Sequence, residues 1–133
     1  MSGRGLELQL TEVLSNLNAE GGYQVSLVCT DQGLLIASSG DQVSSEELAG
    51  VTSLFDDIVR RGERDLGIRR VDEVAVLDPG RGRLIVRPLA LDAEPRFFLV
   101  VRAPTAASWR RSTGFACRQI ANLLAPLAGL EGA

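Results

Sequence analysis

Few residues in this sequence have the types and spacing needed for chemistry, and each resolves into a structural role on inspection. Gly80-Arg81-Gly82-Arg83 resembles a phosphate cradle. A phosphate loop, however, needs a Lys-Ser/Thr pair leading into a helix whose N-terminus faces the anion, and here a β-like segment follows. The stretch reads as a hairpin turn, with Arg81 or Arg83 reaching a partner's phosphates as the alternative. Asp31 and the pair Asp72-Glu73 are the acid/base candidates, but no group of complementary chemistry stands near them in sequence, so turn and edge roles are expected. Arg60-Arg61 and Arg110-Arg111 are basic pairs; Asp56 and Asp57 precede the first by four residues and are placed to pair with it on a helix surface.

The absence of histidine removes the usual general base for a serine or cysteine nucleophile and the commonest metal ligand together. Cys29 and Cys117 sit far apart in apolar segments and read as buried free thiols, with a disulfide as the alternative. No cofactor or metal is expected, and the chain does not read as an enzyme. All fourteen basic residues are arginine, and the net charge of −3 weighs against nucleic acid as the main partner. No apolar run approaches the ~20 residues that span a bilayer. The first residues lack the hydrophobic stretch of a secretory signal, so a cytoplasmic location is expected and membrane insertion is not.

These residues must be positioned by a short series of elements. Leu6, Leu10, Val13, Leu14 and Leu17 follow helical spacing, with a stop over Asn18 to Gly22. Tyr23, Val25, Leu27 and Cys29 then alternate with Gln24, Ser26, Val28 and Thr30, and Asp31-Gln32-Gly33 turns the chain into Leu34 to Ser38. A long helix follows, with Ser44 and Glu47 forming its capping box. Its stripe of Leu48, Val51, Phe55, Ile58, Val59, Gly62 and Leu66 is assigned to the sheet, and the opposite stripe of Glu46, Ala49, Gly50, Ser53, Asp57, Arg60 and Arg64 to the outside. Three further strands are expected over Val71 to Leu77, Leu84 to Leu89 and Arg96 to Arg102, within an extended segment from Arg69 to Asp78 for the first. A final helix is capped by Ser108 and bent or ended by Pro126.

The expected fold is α+β, in the order α-β-β-α-β-β-β-α: one domain over 1–133 with a five-stranded antiparallel sheet between helices on both faces. Such an open sheet keeps two edges, and an exposed edge invites another strand. If Arg69 to Asp78 is an edge, pairing it with its own copy about Val74 sets Arg70 opposite Asp78 twice.

The sequence resembles bacterial members of the roadblock (dynein light chain) family. The segments that carry the likeness are VSLVCTDQGLLIASSG, SSEELAGVTSLFDDIVRR, RRVDEVAVLD, GRLIVRPL, RFFLVVRAP and the closing helix. The resemblance implies a profilin-like sandwich. It also implies dimers in which the second helix and third strand of each copy meet to make one continuous sheet, and a small Ras-like GTPase bound on the paired helices. On this chain the elements are Ser44 to Leu66 and Arg69 to Asp78, and the interface candidates are Ala49, Gly50, Ser53, Asp57, Arg60, Arg64, Arg70, Glu73, Val74 and Asp78. The implied function is a non-catalytic homodimeric regulator of the GTPase. The alternative is a scaffold that pairs with a roadblock paralogue or a signalling protein and leaves GTP hydrolysis unchanged. A ligand-sensing role requires a polar-lined cavity, which no pattern in the sequence announces.

Overall fold

The alternation in the first hairpin decides where the layers lie. In a computed structural model, which describes residues 3–92, 94–105 and 108–132, β1 (Val25–Thr30) is buried along its whole length. Val25, Leu27 and Cys29 face one hydrophobic cluster and Val28 the other, as period-two alternation requires of a strand covered on both sides. Positions 1, 2, 93, 106, 107 and 133 of the expected single domain lie outside the described residues.

Around β1 the elements run α1 (Gly3–Gly21), β1, β2 (Leu35–Ser39), α2 (Gln42–Asp65), β3 (Val74–Asp78), β4 (Gly82–Pro88), β5 (Phe97–Ala103) and α3 (Arg110–Gly132). The five strands form one antiparallel sheet in the order β2-β1-β5-β4-β3, so β2 and β3 are the edges. Leu10, Leu14 and Leu17 of α1 pack with Ala116, Ile120 and Leu124 of α3 on one face of the sheet. Ala49 and Val59 of α2 pack with Leu27, Val86, Phe98 and Val100 on the other. The expected α+β sandwich and element order are thus present.

Both hairpin turns place glycine at a positive φ that side-chain-bearing residues rarely adopt. Gly33 has φ +85°, and Thr30 Oγ1 accepts the N–H groups of Gln32 and Leu34 to close that turn. Gly82, at φ +113°, opens β4, and an added Cβ would overlap the Ala103 carbonyl oxygen. Gly80-Arg81-Gly82-Arg83 is therefore a hairpin between β3 and β4.

Three local readings are corrected. The N-cap of α2 is Asp41: its Oδ2 accepts the Ser44 N–H at 2.9 Å and the Ser44 hydroxyl at 2.8 Å, and the helix starts at Gln42. A carboxylate accepts both donors, so it outcompetes the Ser44/Glu47 box. α3 begins at Arg110, after Trp109, and continues through Pro126 to Gly132. β3 begins at Val74 rather than Val71, which leaves Arg70 in the preceding loop, so a pairing about Val74 that sets Arg70 against Asp78 reaches beyond the strand.

Candidate partner-binding surface

Thr52 Oγ1 fixes the rotation of α2 from within the core. It donates to the Leu48 carbonyl oxygen at 2.9 Å and accepts from Cys29 Sγ at 3.4 Å on β1. The helix therefore buries Ser45, Ala49, Thr52, Asp56, Val59 and Gly62. Small residues on that line let the helix axis approach the sheet closely. Ala49, expected outside, is 0% exposed, whereas Val51, Ile58 and Leu66, expected inside, lie outside with Leu54 and Val43. The expected stripe was turned by roughly a quarter of the helix because large apolar residues were given priority over small ones.

Sequence reasoning missed Leu54, which is 67% exposed, and the outward direction of Val51 and Ile58. A signal was present. The apolar residues from Val43 to Leu66 cover a wider arc than the ≳100° stripe a single sheet contact uses, which marks a helix with a second apolar neighbour. Leu48, Val51, Phe55 and Ile58 recur at three- and four-residue spacing and so share one flank of α2. Leu48 borders a cavity of about 150 Å³ with Val76, Leu84 and Arg81, which places that flank beside the β3–β4 end of the sheet.

At that end lies the edge strand itself. Ala75, Val76, Leu77 and Asp78 are exposed and Val74 half-buried, and among the described residues no strand covers the outer side of β3. Val76 is 48% exposed and Leu77 62%. An apolar edge of this kind is a template for another strand.

The remaining expected residues differ in whether their contacts stay on the surface of α2 or tie it to other elements. Gly50, Ser53, Asp57 and Arg64 are exposed, with Asp57 paired to Arg61 at 3.1 Å and Arg64 to Asp65 at 2.8 Å. Arg60 is tied inward. Its Nε donates to Asp56 Oδ2 at 2.7 Å and its Nη2 to Asp31 Oδ2 at 3.4 Å, and Arg96 Nε lies 3.5 Å from Asp56 Oδ1. The hydrogen bond to Asp56 holds the Arg60 proton more firmly than usual. This cluster fastens α2 to the first hairpin and to Arg96, the residue that leads into β5.

Glu73 is likewise committed, with its side chain only 14% exposed. Its Oε1 accepts Trp109 Nε1–H at 2.8 Å and its Oε2 lies 3.5 Å from Arg110 Nε. The Arg83 and Arg110 guanidiniums sit 4.8 Å and 4.9 Å from the centre of the Trp109 ring, a pair of cation–π contacts. Together these contacts lock the chain just before β3 against the start of α3, so Glu73 serves as an anchor for the edge strand.

Among the described residues no three His, Cys, Asp or Glu side chains converge to hold a metal. Both cysteines are free, on opposite faces of the sheet, and burial pushes each thiol up to about 11. Among the described residues no helix is long and apolar enough to cross a membrane.

The architecture has counterparts among solved structures. A Roadblock/LC7 domain from Streptomyces avermitilis superposes with a TM-score of 0.69, at 18% identity over 88% of this chain and 95% of that one. The chain has the roadblock fold. The gliding protein MglB from Thermus thermophilus matches at 19% identity over 93% of this chain and 91% of that one, with a TM-score of 0.69. A structure described as MglB with tetrameric arrangement matches at 19% identity over 95% and 92%, with a TM-score of 0.70. No protein-family model and no curated protein matches the sequence. In this roadblock sheet, Leu48 on the α2 flank and Val76 on the β3 edge line one cavity.

Proposed function

We propose that this roadblock chain is a non-catalytic regulator that dimerises through α2 and β3 and binds a small Ras-like GTPase on the paired helices. The observation that carries the reading is the open apolar strand edge at Val76, which lines a cavity with Leu48, a residue on the same flank of α2 as the exposed Val51 and Ile58. Antiparallel pairing of β3 about Val76 uses the whole strand, setting Val74 opposite Asp78, and brings the α2 flanks of two copies together over one ten-stranded sheet. Gly50, Ser53, Asp57 and Arg64 lie on the other exposed side of α2, away from that flank. The likeness to a structure described as MglB with tetrameric arrangement supports self-association, and the GTPase partner is what the roadblock resemblance of the sequence implies.

The test has two stages. Sedimentation should give a dimer. Mixing that dimer with a GTP-loaded small Ras-like GTPase from the same genome should give a complex on gel filtration and faster phosphate release. Unchanged turnover with no complex rejects the regulator, and a complex with unchanged turnover selects the scaffold.

A further inference from the structure

On the face opposite α2, a cavity of about 400 Å³ opens between β4, α3 and the loop before β3. Its charged lining is Arg70, Arg87, Arg118 and Asp72. Arg87 is built in: its side chain is 12% exposed, its Nη1 donates to the Arg110 carbonyl oxygen at 3.1 Å and to Thr113 Oγ1 at 3.0 Å, and its Nη2 donates to Asp72 Oδ2 at 2.9 Å. Gly114 makes room for it, since a Cβ there would lie 3.2 Å from Arg87 Nη1. The other two guanidiniums are exposed, Arg118 resting 5.9 Å from the Phe115 ring.

Three guanidiniums against one carboxylate leave two positive charges uncancelled around the cavity. Their closeness is also felt at one neighbouring thiol. At the half-buried Cys117 thiol on the cavity wall, burial raises the pKa to about 11, and beneath that effect the charges of Arg87, Asp72, Arg118 and Arg70 are all felt. Forked guanidinium donors suit the oxygens of a phosphate, and the volume falls in the range of small-ligand sites. Pro88, Ala90 and Ala121 on the wall are small and apolar, with the Asn122 amide as a further polar group, which leaves space for the body of a ligand beyond its anion.

We infer that this cavity binds the dianionic phosphate group of a small phosphate ester, held by Arg70, Arg87 and Arg118. The site shares no residue with the exposed flank of α2 or with the β3 edge, so it stands independently of the proposed dimer.

Titrating the full chain with inorganic phosphate, against sodium chloride at matched ionic strength, tests the inference by amide NMR. Saturable shifts are expected at Gly114, Cys117 and Asn122. They should weaken by at least about tenfold in Arg70→Gln/Arg118→Gln, whose exposed positions leave the melting temperature unchanged. Saturating phosphate should also slow modification of Cys117 by N-ethylmaleimide, a neutral reagent. Glycerol 3-phosphate and a phosphoserine peptide are titrated in parallel: tighter binding of the former supports a small ester, and tighter binding of the peptide overturns it. Shifts linear in phosphate, or identical in the double variant, also overturn the inference.

Discussion

Trp109 Nε1 donates to Glu73 Oε1 at 2.8 Å, joining the start of α3 to the residue that precedes β3. Removing one partner leaves the other with its hydrogen-bonding need unmet in a largely buried site. Glu73→Ala should therefore destabilise the fold by about 1–3 kcal/mol, and Glu73→Gln by less, because its amide oxygen still accepts. Trp109 is the chain's one tryptophan, so its emission maximum reports the same change. A red shift in Glu73→Ala is expected alongside the lower melting temperature.

The rotation of α2 is tested by two neighbouring positions. Ala49 is fully buried against the sheet, so Ala49→Leu overpacks the core and should cost about 1–3 kcal/mol. Gly50 is exposed, with nothing within 4 Å of an added Cβ. Gly50→Ala should stabilise by roughly 0.5–1 kcal/mol through helix propensity. Urea unfolding of both variants checks the pair; the opposite signs would be reversed by a helix turned with Ala49 outward.

The proposed dimer depends on the edge strand, and Val76 is at its centre. Val76→Lys places a charge where two strands would meet, a device that edges use against pairing. Sedimentation equilibrium should show a monomer with unchanged far-ultraviolet circular dichroism. A wild-type chain that is already monomeric would remove the dimer.

Thiol chemistry distinguishes the two cysteines. Cys29 is fully buried and hydrogen-bonded to Thr52, whereas Cys117 is half-buried at a cavity wall, and burial raises both to about 11. The thiolate is the reactive form, so neither should label quickly at neutral pH, and Cys117 should label first as the pH rises towards 11. Mass spectrometry of the labelled chain identifies the site.

The Asp41 cap makes the helix start sensitive to acid. Two hydrogen bonds from Ser44 hold the Asp41 carboxyl below its ordinary 3.8. The stability it lends is present above that value and is lost as the pH falls through the lower folded-state value. Asp41→Asn retains an acceptor but cannot titrate. Melting temperatures followed from about pH 6 to about pH 2 should fall more steeply for the wild type over the acid end of the range.

Reading the sheet from the sequence succeeded where burial is two-sided. β1 and β5 carry near-continuous apolar runs because helices cover both faces, and the turn at Gly33 and the hairpin at Gly82 are marked by residues that tolerate positive φ. The pairs Asp56–Arg60 and Asp57–Arg61 also follow directly from four-residue spacing and form at 2.7 Å and 3.1 Å. Capping of α2 was misread because Asp41 and Ser44 are both good cap residues, and which one serves depends on where β2 releases the chain.

What the sequence determined by itself is the local and periodic content: eight elements in order, the alternation that gives each strand its two faces, and the absence of histidine chemistry. Which face of α2 turns inward was decided only by the tertiary structure. Periodicity fixes which residues share a stripe, but Ala49, Thr52 and Gly62 win the sheet because their small size permits close packing, and this displaces Val51, Leu54 and Ile58 to the surface. The Glu73–Trp109 anchor and the arginine-lined cavity also lie beyond sequence reading. Their members are separated by tens of residues, and only strand order and helix packing bring them together.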